Sequence, residues 1–255
     1  MPFVTAGGHR LDYERWPGKP GAPALVLLHE GLGSVKLWRD FPQKLAAATG
    51  FPLVVYSRYG YGDSEPIAAP HRPRYMHDEA LVTLPELRSA LGLEDVILVG
   101  HSDGASIALI HAGSGHKTRA LILEAPHVFV EEVSIASIAE ARKAYETTEL
   151  RQRLARYHAD VDGAFRGWND AWLDPAFRDW NIEAFLADIA CPVLAIQGAD
   201  DEYGTLKQLE AIERGVKGRF ERLVLRNCKH SPHRDQEAIV LEAMAGFAER
   251  VSAPG

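Results

Sequence analysis

A serine between two glycines is the feature of this chain that most clearly predicts chemistry. Residues 100–104 have the sequence Gly-His-Ser-Asp-Gly, a G-x-S-x-G motif centred on Ser102. The motif follows an apolar run at 96–99 and precedes small and apolar residues that suit a helix. Between a strand and a helix, this motif forms a sharp turn that presents the serine hydroxyl at the edge of a sheet. We therefore predict that Ser102 is a nucleophile.

A serine nucleophile needs a neighbouring base, because its hydroxyl reacts weakly at neutral pH. In the architecture that presents such a serine, an acid and then a histidine follow it along the chain. Two late apolar runs, at 193–197 and 223–225, are each followed by two candidates. The acid is Asp201 or Asp200, and the histidine is His230 or His233. The histidine would accept the serine proton, and the carboxylate would orient the imidazole and stabilise its charged form.

Two backbone N–H groups are predicted to stabilise the oxyanion that forms when a serine attacks a carbonyl. One is the N–H of Asp103, directly after the nucleophile. The other belongs to a glycine-containing loop at residues 29–34, where we assign it to Gly31. The alternative is a tight turn that needs glycine only for its backbone angles.

The elements that must position these residues alternate between short apolar runs and longer helical patterns. This alternation is typical of an α/β protein with a mostly parallel central sheet flanked by helices. The runs are continuously apolar, as strands covered on both faces should be. The predicted strands lie at residues 25–28, 53–56, 96–99, 121–123, 193–196 and 223–225. Helices are predicted at 78–91, with Pro85 inside, and at 235–251.

One long interval interrupts the alternation. Residues 126–188 show helical patterns without a strong strand, and they hold three of the five tryptophans. We expect a core domain formed by residues 1–125 and 189–255, with 126–188 as a helical insertion. Trp168 and Trp172 would contact an apolar or aromatic substrate, or else pack the insertion's own core. His127, at the start of the insertion, would reach the same pocket.

The composition excludes several classes of function. The chain has 255 residues, of which 46% are apolar and 25% charged, as in ordinary globular proteins. A net charge of −7 without a long basic run argues against nucleic-acid partners and against polybasic membrane contact. No apolar run approaches the length of a membrane helix, and the first residues do not resemble a signal peptide. We expect a cytoplasmic protein, either a monomer or a homodimer.

Metals and cofactors are not expected either. His29 and Glu30 begin like the zinc motif H-E-x-x-H, but position 33 is glycine, so the second ligand is missing. A phosphate-binding G-x-x-x-x-G-K-[ST] motif is also missing. Cys191 and Cys228 would lie at opposite ends of neighbouring strands, too far apart for a disulfide.

Five segments together resemble the α/β-hydrolase superfamily, in particular its lid-bearing, esterase-like branch. The resemblance covers essentially the whole chain, and it implies the fold of that superfamily with a cap after the sixth strand. It favours Asp201 as the acid and His230 as the base. The segments are residues 29–34 (like H-G-x-x-G-S), 60–64 (like G-x-G-x-S), 100–104 (the nucleophile elbow), 198–201 (like G-x-x-D) and 230–232. Three residues depart from the pattern: Glu30, Tyr59 and Lys229.

The resemblance also narrows the expected activity. Dehalogenases and epoxide hydrolases of this superfamily use aspartate where this chain has Ser102, and carbon–carbon hydrolases usually have asparagine where it has His101. The elbow is similar to that of valacyclovir-hydrolase-like esterases, which implies that Asp103, with Glu30, binds a substrate amino group. We expect a serine hydrolase that acts on a small carboxylic ester or lactone. The alternatives are a proline-iminopeptidase-like enzyme, a carbon–carbon bond hydrolase and a non-catalytic binding protein.

Overall fold

The computed structural model describes residues 2–69 and 71–253. Within them, eight strands form one sheet in the order β1-β2-β4-β3-β5-β6-β7-β8. The described strands all run in one direction except β2, which is antiparallel to both of its neighbours. The strands are β1 (Phe3–Ala6), β2 (His9–Trp16), β3 (Ala24–Leu28), β4 (Leu53–Tyr56), β5 (Val96–His101), β6 (Ala120–Glu124), β7 (Val193–Gly198) and β8 (Phe220–Leu225). The predicted α/β fold with a mostly parallel sheet is confirmed.

The first two strands are absent from the sequence-based prediction. The six predicted runs correspond to β3–β8, whereas β1 and β2 form an antiparallel hairpin at the sheet edge. Strand β2 is rich in charged residues, and its side chains alternate only in part between exposed and buried positions. An edge strand of this kind lacks the continuous apolar run by which buried parallel strands are recognised.

Helices cover both faces of the sheet, and two predicted helix boundaries were wrong. The helix predicted at 78–91 begins three residues earlier, and a π-helical turn at Glu79–Thr83 joins its two halves. This turn accommodates Pro85, which lies in the first turn of the second half and lacks an N–H. The final helix begins at 237 because a separate short helix precedes it. The helices are α1 (Phe41–Thr49), α2 (Tyr75–Asp78), α3 (Leu84–Ala90), α4 (Asp103–Gly113), α5 (Glu132–Thr147), α6 (Leu150–Leu154), α7 (Val161–Leu173), α8 (Glu183–Leu186), α9 (Lys207–Gly215), α10 (Pro232–Asp235) and α11 (Glu237–Ser252).

The apolar core lies in two layers, one on each face of the sheet. Strands β3, β5 and β6 are buried along their whole length, so their side chains contribute to both layers. On one face, α1 packs against α11, and the predicted apolar positions Val240, Met244 and Phe247 are buried there. The other face is covered by α3, α4 and α9 and by aromatic residues from the segment between β6 and β7.

The segment between β6 and β7 contains α5–α8, as its helical pattern predicts. Its aromatic side chains pack on one another: the Trp172 ring lies 4.8 Å from Phe177, and Phe177 stacks on Trp180 at 5.3 Å. Whether 126–188 forms a separate domain stays a prediction. Among the described helices, none combines the length and the apolar content that a membrane-spanning segment requires.

Candidate active site

Ser102 lies in a sharp turn between β5 and α4. Its backbone has φ 53° and ψ −116°, a conformation that costs energy in a residue with a side chain. The flanking glycines make the turn possible. A Cβ atom at Gly100 would lie 2.4 Å from the Gly104 carbonyl oxygen, and one at Gly104 would lie 2.0 Å from that of Leu28. The motif therefore holds the serine hydroxyl where the parallel strands end.

Ser102, His230 and Asp201 form a continuous hydrogen-bonded chain. The Ser102 hydroxyl donates to His230 Nε2 at 2.9 Å, and His230 Nδ1 donates to Asp201 Oδ1 at 2.8 Å and Oδ2 at 3.0 Å. Each residue follows a different parallel strand: β5 for the serine, β7 for the acid and β8 for the histidine. The structure thus brings together the three residues that the sequence resemblance selects.

The Asp201 carboxylate is buried and held by several donors. Gln197 Nε2 donates to Oδ2 at 2.6 Å, and the Tyr203 N–H donates to Oδ1 at 2.8 Å. Burial alone would raise the pKa of Asp201, but its hydrogen bonds and the charge of His230 outweigh burial and lower the pKa below its usual value. The carboxylate is therefore ionised at neutral pH and fixes the orientation of the imidazole.

The two rival candidates lie elsewhere. Asp200 is exposed beside the site. His233 is buried, and its Nδ1 pairs at 3.0 Å with the buried carboxylate of Glu124 at the end of β6. Neither rival makes a hydrogen bond to Ser102 or His230 among the described contacts.

The loop after β3 is held through the carbonyl oxygen of Glu30. That oxygen accepts hydrogen bonds from His29 Nδ1 at 2.6 Å, from the Arg58 guanidinium at 2.8 Å and from the Gly33 N–H at 3.0 Å. Fixing this carbonyl also fixes the rest of the planar peptide group, including the N–H of Gly31. In the described part of the chain, that N–H has no hydrogen-bond acceptor, so it is free to donate a hydrogen bond to a ligand oxygen.

A side chain at position 31 would not fit, so the loop requires glycine there. A Cβ atom there would lie 2.1 Å from Nε1 of Trp168, which comes from α7. The Asp103 N–H, at the start of α4 beside Ser102, likewise has no acceptor among the described contacts. Both backbone donors predicted for an oxyanion therefore remain unpaired.

A cavity of about 410 Å³ opens above Ser102 and His230. Four side chains that the sequence suggested as substrate contacts line it: Glu30, His127, Trp168 and Trp172. Its other walls combine apolar side chains with charged groups. They include Leu32, Leu37, Ile138, Leu154, Tyr203, Glu202, Lys229 and Arg234.

The side chain of Asp103 is not part of this cavity lining. It is fully buried, accepts a hydrogen bond from the Tyr75 hydroxyl at 2.5 Å and lies 3.6 Å from the Arg58 guanidinium. Burial raises the pKa of Asp103, although Arg58 and Tyr75 counteract part of this effect. The hypothesis that Asp103 binds a substrate amino group thus lacks support from its position.

His127 enters the cavity as a neutral imidazole. Burial lowers its pKa to about 3, and the charge of nearby His230 acts in the same direction. Its ring lies 5.8 Å from that of His230 and packs edge-on to Trp172 at 5.3 Å. Its Nδ1 atom is buried without a hydrogen-bond partner among the described residues.

The sequence did not reveal the role of several residues that support the site. His101 contacts His230, Gln197 binds Asp201, and Arg58 holds the Glu30 carbonyl. His101 lies inside the elbow motif, which is a signal that could have found it. Gln197 and Arg58 belong to no motif. Gln197 reaches Asp201 four residues further along the chain, through the turn after β7, whereas Arg58 reaches the Glu30 carbonyl from the end of a different strand, β4.

The described residues contain no group of three or more His, Cys, Asp or Glu side chains arranged to hold a metal ion. Cys191 and Cys228 are both free thiols. Burial raises the pKa of the Cys191 thiol to about 11 and that of Cys228 to about 12, so both are protonated near neutral pH. Neither has the character of a metal ligand or a reactive thiolate.

Comparison with known families agrees with this geometry. The family model described as "Alpha/beta hydrolase family" matches residues 25–243, which is most of the chain. The chain belongs to the alpha/beta hydrolase family. The resemblance noted from the sequence motifs is therefore confirmed.

Two curated members of the alpha/beta hydrolase family are proline iminopeptidases from lactobacilli. The protein of Levilactobacillus brevis is 38% identical over 218 residues, covering 69% of this chain and 72% of that protein. The protein of Lactobacillus helveticus is 28% identical over 169 residues, covering 65% of this chain and 54% of that protein. The match thus spans about half the length of the second relative.

A solved structure has the same alpha/beta hydrolase architecture. A thermophilic esterase from Thermogutta terrifontis matches with a TM-score of 0.73 and 18% identity, covering 99% of this chain and 100% of that chain. At this identity the likeness establishes the shared fold.

Proposed function

We propose that this protein is a serine hydrolase that cleaves a small carboxylic ester or lactone through an acyl-enzyme. The observation that carries the proposal is the hydrogen-bonded chain of Ser102, His230 and Asp201 at the floor of a cavity. A serine, a histidine and an acid in this order are the groups that activate a hydroxyl for attack on a carbonyl.

In the proposed mechanism, Ser102 Oγ attacks the substrate carbonyl carbon while His230 Nε2 accepts its proton. The carbonyl oxygen becomes an oxyanion, which accepts hydrogen bonds from the N–H groups of Gly31 and Asp103. Protonated His230 then donates its proton to the leaving oxygen, and an ester bond to Ser102 remains. Water attacks this acyl-enzyme with His230 as the base, and Ser102 leaves with the returned proton. Asp201 stabilises His230 whenever the imidazole is charged.

The cavity supports a substrate with an apolar or aromatic part. Trp168, Trp172 and Ile138 provide apolar walls, and a volume of about 410 Å³ suits a small molecule. The chemical preference for an ester or lactone rests on the chemistry of the serine site rather than on any single wall residue.

The proposal is tested with a p-nitrophenyl ester series, acetate to octanoate, using wild type and Ser102→Ala. We expect turnover that depends on Ser102, with a chain-length preference that measures the acyl pocket. Labelling by a serine-directed fluorophosphonate should be lost in the same variant. Folded wild type that neither turns over any ester or amide nor reacts with the fluorophosphonate would contradict the proposal and favour a binding protein.

A proline-iminopeptidase-like activity is the second candidate, because both reported relatives carry that name. Such an activity requires recognition of a free amino group beside the scissile amide. Glu30 is the anionic side chain of the cavity that lies next to Gly31, so it is the best placed partner for an amino group. Parallel assays on prolyl p-nitroanilide and on p-nitrophenyl esters would separate the two activities. Faster turnover of the anilide, with loss of this preference in Glu30→Gln, would favour the peptidase.

We further propose that residues 126–188 act as a cap that encloses the substrate. The contact between Trp168 of α7 and Gly31 supports this, since it links the helical segment to the oxyanion loop. A cytoplasmic location is proposed from the two free cysteines. Cell fractionation tests the location, and light scattering decides between the two predicted states, a monomer and a homodimer.

A further inference from the structure

His101 connects the nucleophile elbow to the histidine loop. It is almost fully buried, and its Nε2–H donates to the backbone carbonyl oxygen of His230 at 2.6 Å. A carbonyl oxygen can only accept, so His101 must carry a proton on Nε2. The residue directly before Ser102 thereby holds the backbone of the residue that accepts the Ser102 proton.

The other ring nitrogen of His101 faces an acid from a third loop. Its Nδ1 atom lies 3.7 Å from Oε2 of Glu30, whose backbone carbonyl is already fixed by Arg58. The Glu30 carboxylate also lies over Gly33, where a Cβ atom would approach Oε2 to 2.3 Å. If Nδ1 carried no proton, its lone pair would face a carboxylate. With a proton on Nδ1, the same geometry is an attraction between opposite charges.

We propose that His101 is a doubly protonated positioning residue, which Glu30 keeps charged and which holds His230 in line with Ser102. This proposal rests on the proposed function, since its benefit is the alignment of the proton transfer. His101 touches neither the substrate nor the reacting atoms, so it acts through His230. Through its two ring nitrogens, His101 ties the end of β5 to the loop after β3 and to the segment after β8.

The charged groups around His101 favour this state. Glu30 faces it from the loop after β3, and the carboxylate of Glu124 faces it from the end of β6. His230 and His233 approach it from the segment after β8, with ring centroids 5.3 and 5.1 Å away. Glu124 pairs with His233 through Oε2, whereas the Glu30 carboxylate is the one that lies 3.7 Å from a ring nitrogen of His101.

The directions of the pKa shifts of His101 and Glu30 agree with this charged pair. Burial would lower the pKa of His101, but the nearby carboxylate of Glu30, aided by the charge of Glu124, raises it above the usual value. Burial would raise the pKa of Glu30, but His101 and the charge of Arg234 lower it far below its usual value. Both shifts are those expected of an ionised Glu30 beside a doubly protonated His101.

The direct test is an NMR titration of the His101 ring in the full chain labelled with 15N. We expect both ring nitrogens to be protonated in wild type, with a titration midpoint above that of an ordinary histidine. In Glu30→Gln the midpoint should fall, and a neutral ring protonated only on Nε2 should result. A wild-type ring that is neutral throughout the neutral range would overturn the proposal, as would a midpoint that Glu30→Gln leaves unchanged. This readout does not depend on activity, so it stays informative if the protein is no hydrolase.

The functional test separates positioning from substrate binding. His101→Gln keeps an N–H donor but loses the charge, and Glu30→Gln removes the counter-charge. We expect each to lower kcat by about tenfold to a hundredfold for every ester tested, because small misalignments cost that much, with KM little changed. Glu210→Gln, at an exposed position of α9, is the matched control and should behave as wild type.

Two results would contradict the positioning role. If Glu30→Gln changed only KM, and only for substrates with an amino group, Glu30 would be a substrate contact instead. If both variants lowered the melting temperature while kcat stayed at the wild-type value, the pair would be structural. Fluorophosphonate labelling of Ser102 in wild type, measured alongside, shows separately whether the proposed hydrolase function holds.

Discussion

Two acid–histidine pairs lie side by side at the same edge of the sheet. In one, Asp201 accepts from His230 Nδ1 at 2.8 Å, and in the other, Glu124 accepts from His233 Nδ1 at 3.0 Å. Both carboxylates are completely buried. The two histidines are only three residues apart in the chain, and each uses the same ring nitrogen. The polar chemistry of the two pairs is thus nearly identical.

What differs is the environment of the remaining ring nitrogen. His230 Nε2 accepts from Ser102 beside an open cavity. The His233 ring is enclosed by aromatic rings, with Trp38 at 4.8 Å, Phe41 at 5.1 Å and His101 at 5.1 Å. An acid–histidine pair therefore becomes a candidate proton acceptor only where a nucleophile meets its free nitrogen. The enclosed pair is suited to hold α10 against the sheet.

The largest effect should come from removing Ser102, the proposed nucleophile, which distinguishes the two pairs. Ser102→Ala is expected to lower kcat for p-nitrophenyl esters by about 10⁴-fold or more, since the attacking oxygen is lost. Ser89→Ala, an exposed serine on α3, is the matched control and should retain wild-type rates. If Ser102→Ala kept more than a small fraction of wild-type turnover, the serine mechanism would have to be abandoned.

Matched substitutions in the two histidines test the comparison directly. His230→Leu should lower kcat by about 10⁴-fold or more, because no group remains to accept the serine proton. His233→Leu should keep kcat within about tenfold of wild type but lower the free energy of unfolding by about 1–3 kcal/mol. The cause is the loss of a side-chain donor to buried Glu124.

Steady-state kinetics and urea unfolding of both variants give the two quantities. Equal losses of kcat in the two variants would mean that His233 also takes part in the reaction, and the contrast between the pairs would fail.

The sequence predicted the participants of the open pair better than their surroundings. Ser102 was found because the elbow motif is local: its glycines and serine are consecutive. Asp201 and His230 were selected by resemblance, whereas spacing alone left Asp200 and His233 open. Burial separates these alternatives, and it depends on how β6, β7 and β8 pack together.

The supporting contacts show the limit of prediction from sequence most clearly. No sequence motif indicated a structural role for Glu124, because it is a single acid at the end of an apolar run. Its partner His233 lies 109 residues further along the chain, and only the fold brings the two together. The edge hairpin of β1 and β2 was missed for a related reason, since its polar strand is stabilised by pairing with β4 rather than by its own pattern. Local motifs were predictable from the residues, whereas long-range pairings were predicted only where the family resemblance supplied them.

A smaller effect on activity is expected from the acid of the open pair. Asp201→Asn should lower kcat by about 10³- to 10⁴-fold, because an amide can neither hold the required tautomer nor stabilise charged His230. Glu124→Gln, the matched change in the enclosed pair, should keep kcat within about tenfold of wild type. Activity that survives in Asp201→Asn and disappears in folded Glu124→Gln would reverse the assignment of the two acids.

The smallest effect is a pH dependence of stability in the enclosed pair. Burial would raise the pKa of Glu124, but the charge and hydrogen bonds of His233 and the charge of His101 lower it below the usual value. A carboxyl group whose pKa is lower in the folded state than in the unfolded chain stabilises the fold above its unfolded pKa. That contribution is lost as the pH falls through the folded pKa.

Glu124→Gln lacks this contribution at every pH. Its deficit in the free energy of unfolding should therefore be largest near neutral pH and should shrink once the pH falls below the ordinary glutamate pKa of about 4.3. Urea unfolding of wild type and variant between neutral and acidic pH measures the deficit. A deficit that stays constant over this range would mean that Glu124 acts through shape and neutral hydrogen bonds, and the enclosed pair would then differ from the open one in charge as well as in exposure.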